Sequence, residues 1–457
     1  MSRAVLLLDL AALSLNQLGE HTPNLSALAA SGSSSALVPP LGALTCPAHI
    51  SMSTGTAPSE HGIIGNGWYD RAHGRVFNWN RSNRLIEAPQ IFDTVKARAP
   101  AAKTASLIWR HTAHSSADFK VIERPTYWAS GKKTFDFYTE PSTLHKRVHR
   151  ELGDFPFPFF WGPMAGWKST EWILKLTEFL IREERPELTF SYAPFLDYEG
   201  QRYGPSDARS IEALSLMDAG LSSLLSVAAE ADVDVAIVSD YGFVDVDRPV
   251  FLNRHLREAG YVEVHDAANG EVLEPAHCRA FAHCDNQIAQ VYVHNPADRD
   301  AVASLLGSIP GVANVLGPEQ IASSGLAHSR TGDLICIAER DAWFAYPYWL
   351  DETKAPDFAR CIAIFDKPGF DPCELFAPPG FGGKLHLGRR VMQKKLGLAV
   401  PFDVIDPDAS RVGGARNADR QDTGNGAVLI TSWQRNSEGP LPMESVHDIL
   451  LNRMFGE

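Results

Sequence analysis

Cysteine is scarce and scattered: the six, Cys46, Cys278, Cys284, Cys336, Cys361 and Cys373, are spread over 457 residues with no closely spaced pair. That excludes a zinc-ribbon framework and a disulfide scaffold, and it points to reduced thiols. Long apolar runs are missing as well, since no stretch reaches the ~18 residues of a helical membrane span. The apolar start at 4–8 resembles the core of a secretory signal, but Asp9 interrupts it and no cleavage site follows, so a soluble cytoplasmic protein is the expectation. Positive charge is in deficit, 42 Lys and Arg against 55 Asp and Glu, for a net charge of −13. Without a basic field, binding to nucleic-acid polymers or anionic membranes is not expected. A small anionic substrate stays compatible, because a bound metal reverses the local sign. There is no internal repeat and no low-complexity tract, and 44% hydrophobic with 21% charged residues is ordinary for a folded globular chain.

What is present is a recurring pattern of apolar strand, terminal aspartate and helix. Residues 4–8 form a continuous apolar run ending in Asp9, 188–196 a second ending in Asp197, and 233–239 a third ending in Asp240. Continuous apolar runs belong to strands covered on both faces of a parallel sheet. Residues 172–182 and 211–229 carry apolar side chains at helical spacing. Alternation of this kind predicts an α/β fold, a doubly wound and mainly parallel sheet. Ligands of such sheets bind beyond the carboxyl ends of the strands, where an aspartate either does chemistry or caps the next helix. Three of them on one sheet can converge on a cation.

The texture changes in the middle of the chain. Residues 287–293 alternate like a half-exposed strand, 297–309 read as a helix, and 313–316 and 333–338 as short strands. The expectation is a small β-α-β subdomain over 256–340, inserted into a core made of 1–255 and 341–457. Aromatic and Arg-rich segments, Trp68-Tyr69-Asp70-Arg71 above all and 343–349 later, supply either a stacking surface for a ligand or ordinary packing.

The loop Leu44-Thr45-Cys46-Pro47-Ala48-His49 sets a hydroxyl in a turn just ahead of a short helix. Free N–H groups and the dipole at a helix start favour an anion there. A Thr hydroxyl is a weak nucleophile until a metal or base takes its proton.

Taken with His61-Gly62-Ile63-Ile64-Gly65-Asn66, with Asp197-Tyr198-Glu199-Gly200-Gln201-Arg202-Tyr203-Gly204-Pro205 and with Ser239-Asp240-Tyr241-Gly242, this loop resembles the type I phosphodiesterase/nucleotide pyrophosphatase branch of the alkaline phosphatase superfamily. The resemblance is dense from Val5 to about Arg257 and looser towards the C-terminus. It implies an alkaline phosphatase-like core, hydrolysis through a phospho-threonine on Thr45, and a phosphoryl contact from Asn66. It also implies two zinc ions, one on an Asp and two His, the other on two Asp, one His and the Thr. Three of those imidazoles are missing: Gln201 and Tyr241 stand where two belong, and Gly413-Gly414-Ala415-Arg416 lacks the third. The expected metal ligands are therefore Asp9, Thr45, Asp197 and Asp240, with Gln201 offering an amide oxygen and Tyr241 a phenol. Oxygen donors suit harder ions than imidazole does, so the expected cofactor is one or two divalent ions, Mn, Mg or Zn. Three outcomes stay open: an exchange of zinc for a harder ion, survival of the Asp9–Thr45–Asp240 half alone, or a degraded site that binds a phosphate ester without hydrolysing it. His49, His277, His283 with Asp285, and His328 read as structural residues. The implied substrate is a small phosphodiester or nucleotide diphosphate, with Asn66, Trp68 and Tyr69 as contacts. A sulfatase is excluded, since Pro47 directly follows Cys46 and no Arg occupies the fifth place; a phosphoglycerate mutase is disfavoured because its further His and Lys motifs are not seen.

Overall fold

The computed structural model describes residues 3–129, 133–396, 398, 400–436 and 439–456. Its centre is the strand Ala4–Leu10, where Val5 through Leu10 are all fully buried. Successive side chains of a strand point to opposite faces, so complete burial means that both faces of the sheet are covered. Leu188–Ala193 and Val233–Val238 flank this strand, both parallel to it, in a register that sets Asp9 opposite Tyr192 on one side and Val238 on the other. Thr104–Leu107 and Phe119–Tyr127 extend the parallel part outward beyond Leu188–Ala193. Lys133–Glu140 closes that side antiparallel. On the other side Ala427–Thr431 runs antiparallel to Val233–Val238, followed by Ser33–Val38 and Leu441–Pro442. The result is a mixed, mostly parallel nine-stranded sheet.

Helices cover this sheet in two groups. Pro23–Ser31 and Trp167–Glu183 pack on Ala208–Glu230, while Thr45–Thr54 packs on Ser445–Phe455. Parallel strands bring their carboxyl ends to one edge, which places Asp9, Asp197 and Asp240 together. Asp240 lies two residues past its strand, and Asp197 sits in the first turn of Phe195–Tyr203.

A second, antiparallel sheet holds Ala280–Asp285, Ile288–Val293, Leu334–Ala338 and Val312–Leu316 in that order. Ile288–Val293, the helix Arg299–Gly307 and Val312–Leu316 make the expected β-α-β path. Leu334–Ala338 is inserted between the two strands of that path, because it alone pairs with both. The apolar cluster of this unit draws on residues from Val250 to Ala359 and on Tyr69, so its packing reaches past 256–340 at both ends. Phe344, Tyr346, Tyr348 and Trp349 are buried in it, so these rings of the 343–349 segment are core residues.

Candidate active site

Thr45 opens the helix Thr45–Thr54, with Leu44 at its N-cap in extended conformation. Pro47 falls in the first turn, where a missing N–H costs no helical hydrogen bond. Gly55 ends the helix in the left-handed region at φ 69°, a conformation that favours glycine. The Thr45 side chain is buried at the carboxyl edge of the sheet, beside Asp240.

The Asp9 and Asp240 carboxylates are fully buried, and one of their four oxygens has a hydrogen-bond partner among the described residues. Asp9 Oδ2 lies 2.6 Å from His49 Nε2, while Asp9 Oδ1 and both oxygens of Asp240 have no hydrogen-bond partner among the described residues. Burial pushes the Asp9 carboxyl well above the usual carboxylate range, and the Asp240 charge pushes it further. Burial likewise pushes Asp240 up to about 7, with the Arg416 charge and the Thr45 hydroxyl opposing and the Asp197 charge adding. Two buried carboxylates facing each other are costly unless a proton or a cation lies between them. Three orphaned oxygens beside a hydroxyl form a hard donor set, and these residues fit a divalent cation.

Ligand atoms of Asp9, His49 and Asp240 lie within 4.8 Å of one another, which makes His49 a formal candidate ligand. Its hydrogen bonds argue for a different role. His49 Nδ1 accepts the backbone N–H of Arg110 at 3.3 Å, so the single proton of a neutral ring sits on Nε2 and is donated to Asp9. Burial, reinforced by the Arg110 charge, holds the imidazole well below its ordinary value and hence neutral. The ring stacks on Trp109, with centroids 3.7 Å apart and planes 14° apart. His49 thus ties down one oxygen of Asp9 and leaves the other free to face a cation, as metal-binding carboxylates are commonly oriented by a partner behind them.

Around Asp197 the arrangement is different. Tyr241 donates its phenol O–H to Asp197 Oδ1 at 2.7 Å, and Gln201 donates Nε2–H to Oδ2 at 2.6 Å. Arg416 reaches Asp197 Oδ1 through Nη2 and Asp285 Oδ1 through Nη1, each at 3.5 Å. Its guanidinium is packed over the rings of Tyr241 and Phe370, at 4.5 and 4.9 Å from their centroids. A short antiparallel pairing of Gly414–Arg416 with Phe243–Asp245, setting Arg416 opposite Phe243, carries that side chain into the site. Asp285 accepts a second hydrogen bond from Asn66 Nδ2 at 2.9 Å, and Asn66 Oδ1 accepts the backbone N–H of Cys46 at 3.0 Å. Thr45 joins the chain by donating to the Tyr241 oxygen over a long 3.4 Å.

The predicted residues therefore separate into two halves. Asp9, Asp240 and Thr45 meet, with His49 behind them. Asp197, Gln201 and Tyr241 meet around a guanidinium. The single oxygen cage expected from sequence is not what the fold builds: Gln201 turns its N–H, not its carbonyl oxygen, to Asp197, and Tyr241 spends its proton there. Asn66 buttresses the Thr45 loop through Cys46. Trp68 and Tyr69 are both buried, Trp68 against Cys46, Ile50 and Ile63 beneath Arg330, and Tyr69 edge-on to Phe281 and Tyr292. These two rings are packing residues and offer no stacking face to a substrate. Of the other histidines, His283 bonds Asn78 at 2.8 Å and His328 bonds Glu87 at 3.2 Å, both away from the aspartates. Sequence reasoning missed Arg416, Asp285 and the role of His49. One signal was available for the first: a cationic side chain stands in the very segment that lacks a ligand.

A pH dependence follows from the raised carboxyls. Without cation, the folded protein keeps a proton on this pair where the unfolded chain has released it, from about pH 4 to about pH 7. The contribution is fully present below the unfolded value and is lost as pH rises through the folded one. A divalent ion needs the ionised pair and so relieves the loss. The melting temperature gained on adding Mn2+ to chelator-treated protein is expected to be larger near pH 8 than near pH 5.5. Equal gains, measured by calorimetry, would contradict the assignment.

Comparison with known proteins places the chain. The profile of the family "Type I phosphodiesterase / nucleotide pyrophosphatase" matches residues 4–362. Ectonucleotide pyrophosphatase/phosphodiesterase 2 of Saccharomyces cerevisiae is 25% identical over 225 residues, 46% of this chain and 40% of that protein. Venom phosphodiesterase 2 of Crotalus adamanteus is 25% identical over 219 residues, 47% of this chain and 23% of that one. The matched stretch spans less than half the length of either relative. Among solved structures, phosphonoacetate hydrolase from Sinorhizobium meliloti 1021 in complex with phosphonoformate aligns with a TM-score of 0.64 at 14% identity, covering 99% of this chain and 96% of that one. An inactive variant of murine ectonucleotide pyrophosphatase / phosphodiesterase 5 in complex with AMP aligns with a TM-score of 0.59 at 12% identity, covering 99% and 95%. The structural likenesses show the alkaline phosphatase-like fold, and the profile match shows the lineage: the chain belongs to the type I phosphodiesterase/nucleotide pyrophosphatase family.

Proposed function

We propose that this protein is a cation-dependent phosphoric diester hydrolase in which Thr45 attacks phosphorus beside a single divalent ion on Asp9 and Asp240. The observation that carries the reading is the set of three fully buried carboxylate oxygens, without hydrogen-bond partners among the described residues, next to a hydroxyl at a helix start. Family membership supports it, as does the AMP bound to the murine relative. The substrate class is a small phosphodiester or nucleotide diphosphate. A bound ion there supplies Lewis acidity, lowering the pKa of the neighbouring hydroxyl and offsetting phosphoryl charge.

The chain's own residues do the positioning. His49 fixes the rotamer of Asp9. Tyr241 donates to Asp197, so its oxygen accepts the Thr45 O–H. The start of Thr45–Thr54 favours the anionic phosphoryl group through its dipole. Attack breaks the Thr45 O–H bond, forms the Oγ1–P bond and breaks the bond from phosphorus to the leaving oxygen, which departs with a proton in exchange for the one lost from Thr45. Water then cleaves the threonyl ester, its OH going to phosphorus and its remaining proton back to Oγ1.

A second reading has one observation in its favour: the Asp197 half holds a guanidinium instead of imidazoles, as a member that binds phosphate esters without hydrolysing them could. Bis-p-nitrophenyl phosphate distinguishes the two. After exhaustive chelation turnover is expected to vanish and to return with Mn2+, Mg2+ or Zn2+. Turnover that survives chelation would contradict cation dependence. Absence of turnover with every ion, together with a melting temperature raised by a phosphate ester, would favour the binding protein.

A further inference from the structure

We infer that Arg416 takes the place of a second divalent ion, so that this site is built for one metal ion and one guanidinium, the latter gripping the anionic oxygens of the substrate on the Asp197 side. The inference rests on the reading of Asp9 and Asp240 as a cation site. The family resemblance implies a second ion on Asp197, and the residues do not fit one. Both oxygens of Asp197 already accept hydrogen bonds, from Tyr241 and from Gln201, and the Arg416 charge lies against one of them. Neither expected imidazole is there to complete a coordination shell.

Charge leads to the same conclusion. Asp9, Asp197, Asp240 and Asp285 are four buried carboxylates, and Arg416, 2% exposed, is the cation that lies between Asp197 and Asp285. One divalent ion at Asp9 and Asp240 brings this group to a net charge of −1. A second divalent ion would carry it to +1, and would set two positive charges side by side on Asp197.

The guanidinium is also held fast. The Arg416 backbone pairs with Phe243 and its backbone N–H donates to Asn286 Oδ1 at 3.3 Å, while the guanidinium is packed over two aromatic rings. Yet its donors are underused. Its contacts to Asp197 and Asp285 are both at the 3.5 Å limit, and Nε is buried with no hydrogen-bond partner among the described residues. Gln201 Oε1 is likewise buried and unpartnered. A guanidinium has five N–H groups in a planar fork suited to phosphate oxygens, and it stays charged at any working pH. Hydrogen-bond capacity left over inside a buried site is costly unless a ligand takes it up. A phosphoryl oxygen is the acceptor that matches.

Counting bound Mn2+ on the full chain tests the assignment. One ion per chain is expected, with the six-line electron paramagnetic resonance spectrum of an isolated Mn2+. Two ions per chain, giving the coupled spectrum of a pair ~4 Å apart, would overturn the inference and leave the Asp9–Asp240 reading standing. No bound ion would overturn both. Inorganic phosphate then serves as the anion probe: Arg416→Gln is expected to retain one Mn2+ and to weaken phosphate binding by about tenfold or more, with Arg416→Lys recovering part of the loss. Unchanged phosphate affinity in Arg416→Gln would remove the guanidinium from anion binding. Should that variant fail to fold, the Mn2+ count on the unaltered protein decides alone.

Discussion

Thr45→Ala is expected to lower kcat on a phosphodiester by at least three orders of magnitude, roughly the scale seen when a nucleophile is removed and only binding and electrostatics remain. The fold should barely register the change. The lost hydroxyl makes one long hydrogen bond, to Tyr241, and no large cavity opens, so stability should fall by only about 1 kcal/mol. Phosphate binding should persist in large part, since both carboxylates of the cation site and Arg416 are untouched. Thr45→Ser keeps a hydroxyl in place and should retain most of the activity. Steady-state kinetics with a parallel melting curve checks all of this, and near-normal turnover in the alanine variant would remove Thr45 from the chemistry.

The second large effect has opposite signs for activity and stability. Asp240→Asn removes one of two facing buried carboxylates whose charge the Arg416 guanidinium and the Thr45 hydroxyl offset only in part. In chelator-treated protein near pH 8 the variant is expected to be more stable than the parent, by a few kcal/mol at most, because the group that burial holds up to about 7 no longer has to ionise. The same substitution should abolish the response of melting temperature to Mn2+ and reduce turnover by orders of magnitude. A purely structural role predicts the reverse for stability: an asparagine in a satisfied aspartate's place would destabilise. A cation-free variant less stable than the parent, yet still responding to Mn2+, would contradict the assignment of Asp240 as a ligand.

How much of this was legible in the sequence depended on the range of the interactions involved. The strands at 4–8, 188–196 and 233–239 announce themselves because burial on both faces demands unbroken apolar runs, and an aspartate at the end of each is a local feature. Parallel pairing then brings the three ends to one edge with no further information. The turn that carries Thr45 just ahead of a short helix was a local feature as well, while its role as nucleophile came from the family resemblance.

Arg416 was not readable in this way. Its position comes from a three-residue antiparallel pairing with Phe243–Asp245, far away in the chain, and from rings contributed by Tyr241 and Phe370. No periodicity reports such a contact. The role of His49 depends on the Arg110 backbone and the Trp109 ring, both beyond a different strand. Asp285 belongs to the second sheet and enters the site only because that unit packs against the Thr45 loop through Asn66. Trp68 and Tyr69 illustrate the opposite error. An aromatic pair beside a nucleophile loop is compatible with base stacking, and what buries these rings lies partly in residues 281–330, which local sequence near position 68 cannot reveal.

The account stands or falls on one cation between Asp9 and Asp240, touching the Thr45 hydroxyl. Anomalous diffraction from a Mn2+-soaked crystal locates it directly. The predicted result is a single peak about 2.0–2.3 Å from Asp9 Oδ1, an Asp240 oxygen and Thr45 Oγ1, with none at Asp197. No peak in that position under conditions that support turnover would contradict it.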